Sequence, residues 1–274
     1  MQPRRGFGPI EPAHGALQRR CIHRTAGASG GVRGVHGRHG GQYIEPMPWP
    51  SLPSQCEVCR RWARQRLCAA CVAGHAGARS RCRRCGLRVG VPVDECGACL
   101  KLAPPFSRTV CAADYGFPWD RLIAQFKFHD GIELAGPLAQ LLVEAVQREA
   151  APLPDALVPV PLAHGRLAER GYNQAGELAR RIGKGLGRPI LASTLLRVTD
   201  TAHQAGLSRA QRSANLRAAF MVDPERAAAL RGRHVAVVDD VMTTAATASE
   251  ASRALLRAGA ARVDVWVLAR TPSH

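Results

Sequence analysis

The sequence predicts an α/β protein, a parallel sheet flanked by helices, preceded by a small cysteine-rich metal-binding module. Three observations carry this. From residue 108 onward, short apolar runs alternate with segments of helical period. Four C-x-x-C pairs crowd into residues 56–99. One apolar run, 234–238, ends in an acid pair and leads through three threonines toward a helix. Strands alternating with helices imply right-handed crossovers and a parallel sheet. In such sheets ligands bind beyond the carboxyl ends of the strands.

Residues 109–115 form a possible strand. Segments 119–128 and 134–148 have helical spacing, the second with Leu134, Leu138, Leu141, Leu142, Ala145 and Val146 on one side. Residues 156–160 are a short apolar run suited to a buried parallel strand. A helix is expected over 173–186, a buried strand over 234–238, a helix over 247–258 and a strand over 263–268. The 274 residues have room for one medium domain and a small module. The expected divisions are 1–46, 47–107 and 108–274. The first is rich in Gly, Arg and His with no apolar period, which reads as disorder, or as sequence upstream of a true start at Met47. Its Cys21 and its four histidines before residue 40 lack ligand spacing.

Hydrophobic residues make up 46% of the chain, enough for a core, while 5% aromatic argues against a stacking platform for single-stranded nucleic acid. The net charge of +17 suggests a polyanionic partner. Two facts weaken it. The basic residues are nearly all Arg, with Lys only at Lys101, Lys127 and Lys184, a pattern that compositional bias produces. The excess is also unevenly spread, +5 over 1–46, +7 over 47–107 and +5 over the much longer 108–274. No run approaches the eighteen apolar residues of a membrane helix, and no apolar run follows Arg4 and Arg5 as a secretory signal would need. A cytoplasmic location is the expectation, and reducing conditions there favour metal binding over disulfides.

The pairs are Cys56/Cys59, Cys68/Cys71, Cys82/Cys85 and Cys96/Cys99. Each C-x-x-C knuckle puts two thiolates on one tight turn, and two knuckles complete a tetrahedral Cys₄ site. Two structural Zn²⁺ are expected, with disulfides or an iron–sulfur cluster as alternatives. Sequential pairing (56/59 with 68/71, 82/85 with 96/99) suits small ribbons; interleaved pairing stays open. Gly86 and Gly97 stand where a knuckle needs positive φ or close backbone approach. So small a module draws its folding energy from metal. Its nine arginines suit either phosphate contacts or a solvated surface. Cys111, in a strand, reads as a small buried hydrophobe.

After the run 234–238 come Asp239, Asp240, Val241, Met242, Thr243, Thr244, Ala245, Ala246 and Thr247. Two carboxylates at a strand's end can accept hydrogen bonds from the vicinal hydroxyls of a ribose. Threonine hydroxyls and backbone N–H groups at a helix start make an anion cradle, favoured by the helix dipole. Together they fit a ribose 5-phosphate. The plainer alternative is an acidic and threonine cap on the helix.

This stretch resembles the phosphoribosyl-pyrophosphate (PRPP) loop of type I phosphoribosyltransferases, and the chain more narrowly resembles the ComF family, linked to natural competence. Three further features support the resemblance: Val158-Pro159-Val160-Pro161 with Arg166 and Arg170-Gly171-Tyr172-Asn173-Gln174; Arg197, Gln204, Arg212, Asn215 and Ala219-Phe220; and the four cysteine pairs. The resemblance implies a phosphoribosyltransferase-like sheet behind a double zinc ribbon. It implies that Asp239 and Asp240 bind the ribose hydroxyls of PRPP, that 243–247 hold its 5-phosphate, and that 161–166, from Pro161 to Arg166, approach a Mg²⁺-bridged pyrophosphate. Residues 197–215 would form a hood, with Arg170, Arg197, Arg209 and Arg212 supplying charge. Single-stranded DNA and other competence proteins are the partners it suggests. Handling of single-stranded DNA is the favoured role; transfer of the phosphoribosyl group to an unknown nucleophile is the alternative. The family usually has Gly where this chain has Ala245, which at φ > 0 would be strained.

Overall fold

The computed structural model describes residues 53–91, 93–128, 131–198 and 219–272. Residues 1–46 and Gln204, Arg209, Arg212 and Asn215 therefore lie outside the described residues. In chain order the elements are β1 (Ser54–Gln55), β2 (Trp62–Ala63), α1 (Ala69–Ala76), α2 (Gly97–Lys101), β3 (Arg108–Asp114), α3 (Trp119–Phe128), α4 (Ala135–Arg148), β4 (Ala156–Pro159), α5 (His164–Arg170), α6 (Gln174–Leu186), β5 (Leu195–Arg197), β6 (Phe220–Val222), β7 (His234–Met242), α7 (Ala246–Arg257) and β8 (Arg262–Arg270).

Strands β3, β8, β7 and β4 hydrogen-bond in that order, every pair parallel. Both faces are covered, which is why the central strands read as unbroken apolar runs. On one face Ala236, Val238, Trp266 and Leu268 pack with residues of α3, α4 and α6. On the other, Val235, Val237, Val265 and Val267 pack with Ala248, Ala251 and Leu255 of α7 and with Phe220 of the β5–β6 hairpin. The hairpin and α5 were not expected. Helix α4 starts one residue later than expected, behind a 3₁₀ turn at Ile132–Leu134. Among the described residues no helix is long and apolar enough to cross a membrane.

The largest departure from expectation concerns β7. Apolarity alone ended this strand at Val238, but its pairing with β8 runs on to Met242 opposite Arg270. Asp239 and Asp240 therefore lie in the strand, because a neighbouring strand supplies backbone partners whatever the local propensity. On the other side β4 stops pairing at Pro159 opposite Val238. Over its last four residues β7 has a partner on one side only, and a crevice opens at its carboxyl end.

Candidate functional site

The cysteine segment builds one design twice. Cys56 and Cys59 sit on the turn between β1 and β2, while Cys68 precedes α1 and Cys71 lies in its first turn. Cys82 and Cys85 sit on a second turn, closed by an Arg81–Arg88 bridge, while Cys96 precedes α2 and Cys99 lies within it. Matching backbone bonds close both turns: Arg60 N–H to Cys56 O and Gly86 N–H to Cys82 O, each 2.8 Å. The pairing is sequential, with Cys56, Cys59, Cys68 and Cys71 in one group, Cys82, Cys85, Cys96 and Cys99 in the other, and ligand atoms within 4.8 Å of one another in each.

Four sulfurs about 2.3 Å from one tetrahedral ion lie about 3.8 Å apart. The Cys59–Cys68, Cys82–Cys99 and Cys85–Cys96 sulfurs are 3.8, 3.9 and 3.7 Å apart. Backbone N–H groups of Cys68 and Cys96 point at the Cys56 and Cys82 sulfurs, at 3.4 and 3.2 Å, as supporting groups around thiolate ligands do. Burial works against the Cys56 and Cys96 thiolates, but N–H donors outweigh it and bring them to about 6 and about 7. Burial pushes Cys85 up to about 11 and raises Cys71 and Cys99 further. Thiols so divided cannot all ionise unaided, and a Zn²⁺ in each group fits them. Gly86, at φ 71°, meets its expectation: an added Cβ would lie 2.9 Å from Thr109 Cγ2. Gly97 does not, since it opens α2 with open space at its Cβ position. Cys111 is buried, as expected.

At the crevice, Asp239, Val241, Met242, Thr243, Ala245, Ala246 and Thr247 line a hollow of about 20 Å³, the space of about one water; Thr244 is exposed beside it. Among the described residues no side chain caps the start of α7, so its first N–H groups are open to an anion. Ala245 occupies the left-handed region, φ 62° and ψ 6°.

The two acids have different neighbours. Successive strand residues face opposite sides of a sheet. Asp239 faces the hollow, and the Asp240 backbone N–H donates to its Oδ1 at 2.9 Å. Burial, then the neighbouring Asp240 charge, push Asp239 up to about 7, against the pull of Lys127 and Arg197. Asp240 instead meets Lys127 Nζ of α3 at 2.8 Å. Arg170 faces Asp240 as well; burial opposes its charge and Asp240 supports it. Its guanidinium lies 4.5 Å from the centre of the exposed Phe128 ring and donates to Gln174 Oε1 at 3.1 Å. Arg166 neighbours Arg170, and Arg197 lies 5.6 Å over the Phe220 ring. Pro161 follows β4 on the far side of the crevice. Asn173 fixes that side: its Oδ1 caps α6 at Ala175 N, 3.1 Å, and its Nδ2 holds Val160 O at 3.0 Å. Lys127 stood in the sequence only as one of three lysines, and Gln174 only as the end of a motif. Among the described residues Gln174 Nε2 and Arg170 Nε are buried without a partner.

No protein-family model matches the chain. The DNA utilization protein YhgH of Salmonella typhi is 40% identical over 220 residues, covering 79% of this chain and 90% of that protein. Competence protein F of Haemophilus influenzae is 38% identical over 193 residues, 69% of this chain and 84% of that one. The chain belongs to the ComF family. A solved glutamine PRPP amidotransferase from B. subtilis, complexed with ADP and GMP, aligns with 50% of this ComF-family chain and 26% of its own length, at 20% identity and a TM-score of 0.34. That likeness is too slight to bear on ligand or reaction.

Proposed function

We propose that this ComF-family protein binds PRPP or a related phosphoribosyl ligand at the carboxyl end of β7 and handles single-stranded DNA in natural competence. The observation that carries the ligand is the crevice itself, where β7 outruns β4 and leads through Thr243–Ala245 into an uncapped helix start. Asp239 would take the ribose hydroxyls and the backbone of 243–247 the 5-phosphate. Arg170, Arg197 and the segment 161–166 flank the space where a pyrophosphate with Mg²⁺ would extend. Relatives named for competence and DNA utilization support the DNA role. So do Arg61, Arg64 and Arg79, exposed and without an ion pair among the described residues. Two zinc ions would hold the cysteine segment, and we propose 47–107 as a zinc-ribbon module packed on 108–274.

Calorimetric titration with PRPP and Mg²⁺, then with short single-stranded DNA at two salt concentrations, tests both halves. Saturable PRPP binding, and DNA binding that weakens with salt, are expected. Absence of any PRPP heat in zinc-loaded protein would refute the ligand. Release of pyrophosphate on adding a nucleophile would replace the binding role with transferase activity.

A further inference from the structure

Eight of the nine residues of β8 are buried, and the last of them is an arginine. Arg270 is 6% exposed, and the partners of its guanidinium are backbone carbonyls. Nε donates to Cys85 O at 3.1 Å, while Nη1 donates to Met242 O at 3.1 Å, to Thr271 O at 2.9 Å and to Thr243 O. Cys85 belongs to the second cysteine group, and Met242 and Thr243 lead into the phosphate loop. One planar cation thus joins the backbone of a metal knuckle to the backbone of the candidate ligand site.

A buried guanidinium is tolerated only while its carbonyls converge on it. Its fork is rigid, so the carbonyls must come to it. On the knuckle side they are fixed. Thr109 N–H donates to Arg83 O at 2.9 Å and Thr109 Oγ1 to Arg84 O at 2.8 Å, pressing the knuckle on β3. On the loop side the planar trans peptide sets the consequence. A carbonyl turned toward Arg270 sends the next residue's N–H the opposite way. Arg270 holding Met242 O and Thr243 O therefore turns the N–H groups of Thr243 and Thr244 outward together, an arrangement suited to an anion.

We propose that Arg270 is a positioning residue through which the second cysteine group sets the backbone of the phosphate loop. The proposal rests on the phosphoribosyl-ligand reading above and adds a dependence to it: the loop binds phosphate well only while Cys82, Cys85, Cys96 and Cys99 hold their metal.

The test uses the full zinc-loaded chain and titration with ribose 5-phosphate. Cys85→Ser and Arg270→Met should each weaken binding by about tenfold or more, in the range of lost supporting contacts. Combining them should add little, because they cut one connection. Arg270→Lys should recover part of the affinity, since an ammonium keeps the charge but not the fork. Val72→Ala, a packing change on the first cysteine half, should lower the melting temperature yet leave affinity within about twofold. Equal weakening by Val72→Ala at matched loss of melting temperature, or unchanged binding in Arg270→Met, would overturn the proposal. If the parent chain binds no ribose 5-phosphate, the ligand reading fails, and amide hydrogen exchange decides the connection alone. Faster exchange at Thr243–Thr247 in Cys85→Ser and Arg270→Met, but not in Val72→Ala, sustains it; unchanged exchange sinks it.

Discussion

The two cysteine groups and the acid pair of β7 carry their chemistry at similarly short spacing in the sequence, and only the first converges on a single point. In a C-x-x-C turn the chain reverses between the ligands, so both sulfurs reach one centre, and the second knuckle of each group brings its sulfurs to within 3.7–3.9 Å of the first. Asp239 and Asp240 sit on an extended strand, where adjacency sends side chains apart. Spacing encodes a site only when the intervening backbone turns.

Four measurements bear on this contrast. The largest effect belongs to the cysteines. Cys82→Ser with Cys85→Ser should leave about one zinc per chain by elemental analysis, with a loss on the order of 5 kcal/mol or more in chemical denaturation. Two zinc retained, or full stability, would remove the metal role.

Next is the acid held by a distant lysine. Lys127→Met leaves Asp240 buried without its ion pair and should cost about 2–3 kcal/mol, most of it regained by adding Asp240→Asn. If Lys127→Met is silent in denaturant melts, Asp240 is free to pair with Asp239 in function after all.

The third sharpens the difference between the acids. The folded chain holds a proton on Asp239 up to about 7, while the unfolded chain releases it near 3.8. Stability from this group is present below pH 4 and falls as pH rises from about 4 to about 7. Asp239→Asn should therefore stabilise by about 1–2 kcal/mol at pH 8, allowing for solvent screening, and by nothing at pH 4. A gain independent of pH contradicts the assignment.

The smallest effect concerns Ala245. At φ 62°, Ala245→Gly should raise stability by about 1 kcal/mol, a rise of about 2–4 °C in melting temperature, and strengthen PRPP binding by up to about tenfold. A fall in both would mean that the methyl's contacts with the α7 side of the core outweigh the strain.

Much of the sheet was legible because burial on both faces writes itself into the sequence as apolar runs, as in Val235–Val238. Helices α3 and α4 stood out by their period, and Asn173, where the expected helix began, caps α6 in the structure. What escaped was contributed by distant partners. Four extra residues of β7 depend on β8, and the engagement of Asp240 depends on α3. The motif 170–174 stood out as a family signature; much of it builds a turn, with Gly171 at φ 74° ending α5, Tyr172 OH donating to Phe126 O, and Asn173 tying α6 to the end of β4. Arg270 offered no signal, since a single cation at the end of an apolar strand resembles any surface residue.

The repeated cysteine design has a kinetic consequence. Exchange of a thiolate-bound ion begins when a competing ligand or oxidant reaches a sulfur. In the first group Cys59 is exposed; in the second Cys82, Cys85 and Cys99 are all buried. Chemically equal centres are thus unequally labile. With an ion in each group, a chelator or mild oxidant should strip the outer centre first, sparing for a time the one whose carbonyl reaches the loop.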